Sequence, residues 1–188
     1  MKRFVDLILV VVAILFLFLP IIVVTFLVKL TSKGPVLYWS DRVGKDNAIF
    51  KMPKFRSMKV GTPAVATHLL ADPKLFLTPI GSFLRKSSLD ELPQLWSIIK
   101  GDMSFVGPRP DVIGYADKLQ DDDKIILSVR PGITGPAQLR YKNEEEILTA
   151  QDDPIKYNDE VIWPDKVKIN RRYIENYSFF RDIFYIWK

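Results

Sequence analysis

The chain has 188 residues, 48% of them apolar, and a formal net charge of +5. This length is enough for one compact domain with its own core. There is no cysteine and a single histidine, His68, which excludes disulfides and thiolate metal sites and argues against a Ser-His-Asp triad. Carboxylates are therefore the expected carriers of any nucleophilic or acid–base chemistry.

The segment from Leu7 to Val28 is an uncharged run of 22 residues. As an α-helix it would reach about 33 Å, enough to cross the hydrocarbon core of a bilayer. A cleaved signal peptide explains it less well, because the apolar part of such a peptide is shorter. We predict membrane insertion with a kink at Pro20. Basic residues flank both ends, so a helix that returns to the cytoplasmic face and a single span both stay open.

A basic cluster follows the apolar segment. Eight lysines and arginines lie between residues 29 and 59, against two aspartates. Such a cluster suits anionic lipid headgroups or phosphorylated substrates. It is not accompanied by a nucleic-acid-binding motif, so no nucleic-acid partner is expected.

The rest of the sequence predicts an α+β fold that is mostly helical with a small β element. Two β-prone runs, 35–39 and 48–55, flank a polar turn at 41–47 and predict two short strands. Apolar residues at i, i+3, i+4 and i+7 predict a helix that ends near Gly101. These apolar residues are Leu92, Leu95, Trp96 and Ile99.

Further predictions cover the second half of the chain. Residues 105–110 should be extended, because each residue before a proline avoids the α region. Residues 111–128 are predicted to be helical, and residues 130–135 to form a rigid turn. From Trp163 onward, eight aromatic and six basic residues are mixed, which favours amphipathic helices at a membrane interface.

Asp90 and Glu91, directly before the predicted helix, have two interpretations. Ser88 with Glu91 three residues later matches a capping box, and acidic residues in a first turn are ordinary partners of the helix dipole. Taken alone, the pair is better explained in this way. A carboxylate at this position could also attack phosphorus to form an acyl phosphate, with a divalent metal offsetting the gathered charge.

Five basic residues are candidate phosphate ligands. Each one alone is better explained as a solvated surface residue, but five around the acidic pair favour a role in binding. Arginines beside prolines sit on a stiff backbone and can bind phosphate in a bidentate manner at little entropic cost. The five are Lys54, Arg56, Arg85, Arg109 and Arg130.

Asp121, Asp122 and Asp123 resemble the Asp-x-Asp metal motif of nucleotide-sugar enzymes. They precede an apolar run, so a solvated acidic turn or a helix cap explains them better. A metal-dependent glycosyltransferase that uses Asp121 and Asp123 stays an alternative.

Four segments occur together in an order that is more specific than any one of them. They are Lys54–Met58, Arg85–Leu95, Lys100–Pro110 and Arg130–Gly135. From the N-terminal apolar segment to about residue 140, the chain resembles the monotopic phosphoglycosyl transferases, a group of bacterial sugar transferases.

The resemblance implies an activity. Asp90 would be the nucleophile that takes a phosphosugar from a UDP-sugar and releases UMP, and Glu91 would assist as a base or through Mg²⁺. Undecaprenyl phosphate would accept the phosphosugar in the first membrane step of a glycoconjugate pathway. Asp90 would also be a ligand of Mg²⁺, and Arg85, Arg109 and Arg130 fall at family positions that would bind phosphate or nucleotide. Lys54 and Arg56 are predicted to bind substrate with them. A non-catalytic membrane-bound scaffold is the alternative from another class of function.

The resemblance also implies a location in the bacterial inner membrane. Residues 1–30 would form a re-entrant helix broken at Pro20, and residues 31–188 a catalytic domain on the cytoplasmic face with an interfacial tail. Leu19 stands where the family has serine, so a freed carbonyl lacks its hydroxyl partner and a spanning topology stays open. Pro136 is a second departure, since an aromatic or aliphatic residue is more usual there.

The sugar is not determined by these motifs. An N-acetylated amino-deoxy sugar on UDP is the family-based expectation, with specificity carried by residues 61–79 and 140–165. The chain is expected to be a minimal catalytic core. Exposed aromatic residues in its tail could serve a homodimer as easily as lipid.

Overall fold

The computed structural model describes residues 1–63 and 72–188, so His68 lies outside the described residues. The architecture is mostly helical, with two small sheets and a long apolar N-terminal helix, as predicted. In chain order the elements are α1 (Lys2–Thr31), β1 (Leu37–Val43), β2 (Ile49–Phe55), α2 (Gly81–Lys86), α3 (Gln94–Lys100), β3 (Ser104–Val106), β4 (Gly132–Thr134), α4 (Pro136–Arg140), α5 (Glu144–Thr149), α6 (Pro154–Tyr157), α7 (Trp163–Glu175) and α8 (Phe179–Trp187). Short 3-10 turns and a π-helix, Asn158–Ile162, connect several of them.

The chain folds into two compact units. The first comprises Met1, Arg3–Ser40 and Lys51–Lys100. The second comprises Lys2, Asp41–Phe50 and Gly101–Lys188. Asp90 and Glu91 belong to the first unit.

Helix α1 is long and apolar enough to cross a bilayer by length and composition. It has 30 residues and continues through Pro20. Between Val11 and Leu19 most of the large apolar side chains are exposed. A water-soluble helix would bury such a surface, so this middle section is suited to contact with lipid.

The core of the first unit joins the last turns of α1 to the rest of that unit. Val24 and Val28 pack with Phe55 from the end of β2 and Leu84 from α2. All four are 3% exposed or less, so each contributes about 1.5–3 kcal/mol through removal of apolar surface from water.

The first turn of α1 contacts the same unit. The guanidinium of Arg3 donates from Nη1 to the carbonyl of Ile98 at 2.5 Å and from Nη2 to the carbonyl of Ile99 at 2.9 Å. These carbonyls lie in the last turn of α3, where helix C-termini carry partial negative charge. Both ends of α1 therefore contact the first unit, and its exposed apolar middle lies between them.

Helix α3 is shorter than predicted, and its buried face differs from the predicted stripe. Leu95 is buried as expected, but Trp96 and Ile99 are 56% and 39% exposed. The buried face instead includes Gln94 and Ser97. The periodicity was correct for a helix, but it did not distinguish apolar residues that face the core from those that face outward.

Strands β1 and β2 confirm the two predicted strands and pair in one sheet. β1 extends to Val43, into the predicted turn. The turn itself is shorter: the amide of Gly44 donates to the carbonyl of Ala48 at 2.8 Å. Within it, Asp46 and Asn47 adopt positive φ values, which these short polar residues tolerate better than most.

Residues 130–135 form more than the predicted turn. Strand β4 pairs in parallel with β3, Ser104 opposite Gly132 and Val106 opposite Thr134. Glycine permits this close approach, since a Cβ on Gly132 would lie 2.1 Å from the amide nitrogen of Gly107. The extended prediction for residues 105–110 is confirmed in part, because β3 continues to Val106.

The predicted helix over residues 111–128 is wrong. Two 3-10 segments occur instead, Ala116–Lys118 and Asp121–Ser128. Gly114 has a φ of 112°, and its amide donates to the side chain of Asp117 at 2.6 Å. A side chain that takes a backbone donor competes with the helical hydrogen bond, so an α-helix cannot propagate from this point.

The second unit ends in helices α7 and α8. The hydroxyl of Tyr173 in α7 donates to Oδ1 of the buried Asp182 in α8 at 2.7 Å. On the opposite face of α8, Phe180, Phe184 and Trp187 are 82%, 57% and 85% exposed. Their i, i+4, i+7 spacing makes one continuous apolar stripe on this helix.

Candidate active site

Asp90 and Glu91 lie on a 3-10 turn, Leu89–Glu91, between α2 and α3. The predicted capping box is wrong: Ser88 has a φ of 56° and makes no side-chain cap hydrogen bond. Its amide instead donates to the carbonyl of Arg85 at 3.2 Å, so Ser88 closes the end of α2. The helix that follows begins only at Gln94. The Ser88 side chain therefore does not cap the turn that carries the acidic pair.

The Asp90 carboxyl is buried, with 7% of the residue exposed. This burial raises the pKa of Asp90 above its ordinary value of 3.8. The charge of Lys54 opposes the rise, the charge of Glu91 adds to it, and Arg85 opposes it. A poorly hydrated carboxylate is a stronger nucleophile than a solvated one, and its buried charge favours the approach of a cation.

Lys54 reaches the acidic pair from the end of β2. Its Nζ lies 2.7 Å from Oε1 of Glu91, and both side chains are less than one-fifth exposed. Lys54 was predicted to bind substrate, and the structure gives it a second duty as partner of Glu91. From a single position, the Lys54 ammonium group therefore orients Glu91 and places a positive charge near Asp90.

The other two basic candidates of the first unit differ. Arg85, at the end of α2, is half-buried and close enough to lower the pKa of Asp90. Arg56 is buried, and its guanidinium donates to the carbonyls of Ser32 and Lys33 just after α1. The structure therefore places Lys54 and Arg85 near Asp90, whereas the Arg56 guanidinium is hydrogen-bonded at the end of α1.

Arg109 and Arg130 lie in the second unit. Nε of Arg130 donates to the carbonyl of Gly101 at 2.6 Å. Arg109 is exposed and lines a small cleft together with apolar residues that include Ala116 and Ile126. Asp111 lines the same cleft, and the sequence reasoning missed it. The one feature of the sequence that could have pointed to Asp111 is its position directly after the Pro-Arg-Pro motif.

The surroundings of Asp111 shift the pKa of its carboxyl. Burial raises the pKa of its carboxyl to about 6, against the opposing charges of Lys166, Arg109 and Arg42. Lys166 is itself paired with Glu144 at 2.5 Å, and the negative charge of Glu144 partly offsets the effect of Lys166 on Asp111. The folded state therefore holds this proton to higher pH than the unfolded chain does.

Replacing Asp111 with asparagine should stabilise the protein in a pH-dependent way. Because the pKa is raised in the folded state, stability is lost as pH rises from about 4 through about 6. Asp111→Asn removes that loss. Its melting temperature should exceed that of the wild type by about 2–4 °C more at pH 7.5 than at pH 4.5. Differential scanning fluorimetry measures this, with the exposed Asp152→Asn as control; an equal difference at both pH values would contradict the assignment.

The acidic run at 121–123 is engaged with a cation. Nη2 of Arg171 lies 3.0 Å from Asp122 Oδ2, and Nη1 lies 3.5 Å from Asp123 Oδ1. These pairs connect the 3-10 segment Asp121–Ser128 to α7. Of the two aspartates in the glycosyltransferase alternative, Asp123 is paired with Arg171 and Asp121 is exposed.

Comparison with known proteins gives this site its context. A family described as bacterial sugar transferase matches residues 1–188, the whole chain. The chain belongs to the bacterial sugar transferase family. The predicted resemblance is therefore confirmed at the level of the family.

Several relatives are named for the transfer of a phosphorylated sugar to undecaprenyl phosphate. A UDP-N-acetylgalactosamine-undecaprenyl-phosphate N-acetylgalactosaminephosphotransferase of Aeromonas hydrophila is 35% identical over all of this chain and 42% of its own length. An undecaprenyl-phosphate galactose phosphotransferase of Salmonella typhimurium is 34% identical over 82% of this chain and 32% of its own length. A UDP-glucose:undecaprenyl-phosphate glucose-1-phosphate transferase of Escherichia coli is 35% identical over 86% of this chain and 36% of its own length.

The chain spans about two-fifths of the length of the first curated relatives that it matches. The match to the Aeromonas hydrophila relative covers all of this chain and therefore spans the positions of Lys54, Asp90 and Glu91. The three relatives named above act on three different sugars, so membership of the family leaves the sugar open.

Proposed function

We propose that this protein transfers a phosphosugar from a UDP-sugar to undecaprenyl phosphate and releases UMP. The observation that carries the proposal is the buried Asp90 carboxylate beside the Lys54–Glu91 ion pair, in a member of the bacterial sugar transferase family. Relatives named for this kind of transfer at about one-third identity support it.

The chemistry takes two displacements at one phosphorus atom. A carboxylate oxygen of Asp90 attacks the sugar-bearing phosphorus of the UDP-sugar, the bond from that phosphorus to the bridging oxygen breaks, and UMP leaves with the electron pair. A phosphate oxygen of undecaprenyl phosphate then attacks the same phosphorus and displaces the Asp90 carboxylate. Arg85 and Lys54 offset the negative charge on the transferred group, and Glu91 accepts a proton from the incoming phosphate.

Mg²⁺ is the proposed cofactor, and Asp90 and Glu91 are the residues that would hold it. Magnesium in phosphoryl-transfer sites is held by one or two carboxylates and completed by water and substrate phosphate. Asp90 and Glu91 supply that number, and a divalent cation would relieve the cost of an ionised, buried Asp90. Within residues 1–63 and 72–188, no group of three or more acidic, histidine or cysteine side chains could hold a metal. When bound, the ion would neutralise charge on the diphosphate of the donor.

The placement of α1 supports a re-entrant insertion at the cytoplasmic face. Arg3 at its start and Val24 and Val28 near its end contact the same unit, which favours exit on the side where the helix entered. A break at Pro20 would let the apolar middle dip into the bilayer. In this proposal residues 1–30 are the membrane-inserted segment, and residues 31–188 the catalytic domain at the inner membrane.

Helix α8 is proposed to lie at the membrane interface. Its exposed stripe of Phe180, Phe184 and Trp187 would enter the headgroup region, where aromatic side chains are favoured. Asp182 faces the other way and binds Tyr173, which holds the stripe outward. A homodimer that covers the same aromatic residues stays a prediction.

The identity of the released nucleotide tests the proposed function. Purified protein is incubated with undecaprenyl phosphate, Mg²⁺ and each of three donors: UDP-N-acetylgalactosamine, UDP-galactose and UDP-glucose. We expect UMP from at least one donor. Release of UDP would favour a glycosyltransferase, and no release together with no thermal stabilisation by any donor would favour a scaffold.

The topology has its own test. A tag at the N-terminus should be reached by a membrane-impermeant reagent only after the inner membrane is opened, because a re-entrant helix keeps both ends in the cytoplasm. Labelling from the periplasm in intact spheroplasts would contradict the re-entrant insertion and would favour a span.

A further inference from the structure

Arg56 ties the end of α1 to the strand that leads to the acidic pair. Its Nη1 donates to the carbonyl of Lys33 at 2.6 Å, and its Nη2 donates to the carbonyl of Ser32 at 3.0 Å and to the Ser32 hydroxyl at 2.8 Å. Ser32 is the residue that ends the helix, since its amide still bonds to Val28. A cation on these terminal carbonyls also interacts favourably with the helix dipole.

The backbone around Arg56 is shaped to hold this contact. Gly34 has a φ of 115°, and a Cβ at that position would lie 2.2 Å from Nη1 of Arg56. Any side chain there would displace the guanidinium, and it would also press on Val60 Cγ2, which lies 2.8 Å from that Cβ. The amide of Arg56 also donates to the carbonyl of Val36 at 2.9 Å, so its backbone and its side chain are both fixed to the segment that leaves α1.

Three consecutive residues link α1 to the site. Lys54 pairs with Glu91, Phe55 packs with Val24 and Val28 of α1, and Arg56 binds the carbonyls after α1. Phe55 and Arg56 are 3% and 5% exposed. A buried, hydrogen-bonded strand end does not adjust freely. A shift of α1 should therefore move Lys54, and with it Glu91 and Asp90.

We infer that Arg56 is a positioning residue that sets the height of Asp90 relative to the membrane-inserted helix. The inference rests on the proposed function. A long-chain polyprenyl phosphate is confined to the bilayer surface, so its phosphate cannot move to follow a displaced carboxylate. A water-soluble acceptor can move to the displaced carboxylate. A misplacement of about 1 Å can cost about 10²-fold in rate, so loss of the clamp should act mainly on the membrane-bound acceptor.

The test compares two acceptors: undecaprenyl phosphate in vesicles of phosphatidylethanolamine and phosphatidylglycerol, and a short, water-soluble isoprenyl phosphate. The measured quantity is the ratio of turnover with the first to turnover with the second. Arg56→Gln and Gly34→Ala should each lower this ratio by about tenfold or more, and Arg56→Lys by less, because lysine keeps the charge but offers fewer directed hydrogen bonds.

Gly61→Ala is the matched control. Gly61 also has a positive φ, of 89°, but nothing lies within 4 Å of a Cβ built there. It therefore carries the same kind of backbone strain without touching Arg56, and its acceptor ratio should equal that of the wild type. A fall in both turnovers by the same factor in Arg56→Gln and Gly34→Ala would overturn the inference, because a merely structural role lowers both alike.

A second readout does not need activity. The chain has no cysteine, so Ser87→Cys places one fluorophore at the exposed end of α2, three residues before Asp90. Quenching by labels at different depths of the vesicle reports the height of the probe. The depth should change when Gly34→Ala is added and stay constant when Gly61→Ala is added. An unchanged depth with Gly34→Ala would overturn the inference, whereas a wild-type protein inactive with both acceptors would overturn the proposed function.

Discussion

Replacing Asp90 with asparagine is expected to abolish phosphosugar transfer, with a fall in turnover of at least about 10³-fold. Asparagine has nearly the same size but cannot form the acyl phosphate. The measurement is the rate of UMP release with undecaprenyl phosphate and the best donor. Asp90→Glu, which keeps the carboxylate but moves it, should also lose most activity because the attacking oxygen is misplaced.

The same substitution should not destabilise the protein. Burial raises the pKa of Asp90 in the folded state, so its ionised form at neutral pH costs stability that asparagine does not. The melting temperature of Asp90→Asn, measured without divalent cation, should therefore equal or exceed that of the wild type. A variant that keeps more than a tenth of wild-type turnover would contradict the nucleophile assignment. A large fall in melting temperature would contradict the burial argument.

Lys54→Met is expected to lower both stability and activity, because it removes the ion pair between Lys54 and Glu91. The pair is shielded, with side-chain exposures of 19% and 18%, so salt should screen it weakly. A double-mutant cycle with Glu91→Gln isolates the interaction. We expect a coupling free energy of about 1–3 kcal/mol in chemical denaturation, since each single change leaves the other group partly unsatisfied.

The cycle separates two roles for Lys54. If Lys54 only bound substrate, as the sequence suggested, the two effects on the free energy of unfolding would add within about 0.5 kcal/mol. Lys51→Met is the control, because Lys51 is exposed on the same strand. Activity should fall by about 10²-fold or more in Lys54→Met and little in Lys51→Met. Additive stability effects, or similar losses with both lysines, would show that the ion pair does not position the acidic pair.

Much of the first unit could be predicted because its signals are local. The apolar run of α1 and the β-prone runs of β1 and β2 depend on composition and periodicity within short windows. The order of the four motifs identified the family, which the comparison confirmed. The roles of Asp90 and the five basic residues stay predictions, although the structure brings Lys54 and Arg85 to Asp90.

What could not be predicted depends on contacts between residues distant in sequence. The prediction of a capping box was wrong because Ser88 has a left-handed backbone conformation. In that conformation it ends the preceding helix and does not cap the next one. The role of Arg56 depends on carbonyls more than 20 residues away, which no spacing rule connects to it. Strand β4 was read as a turn because its pairing with β3 joins two short segments 28 residues apart. Propensity is a weak guide where such tertiary contacts decide.

The most direct test of the central claim is the mass of the protein after incubation with a UDP-sugar and Mg²⁺ in the absence of acceptor. The claim predicts a covalent gain equal to one phosphosugar, a burst of one UMP per chain, and a modified peptide that contains Asp90. Addition of undecaprenyl phosphate should remove the adduct. An unmodified protein that nevertheless turns over when donor and acceptor are both present would contradict a covalent intermediate on Asp90.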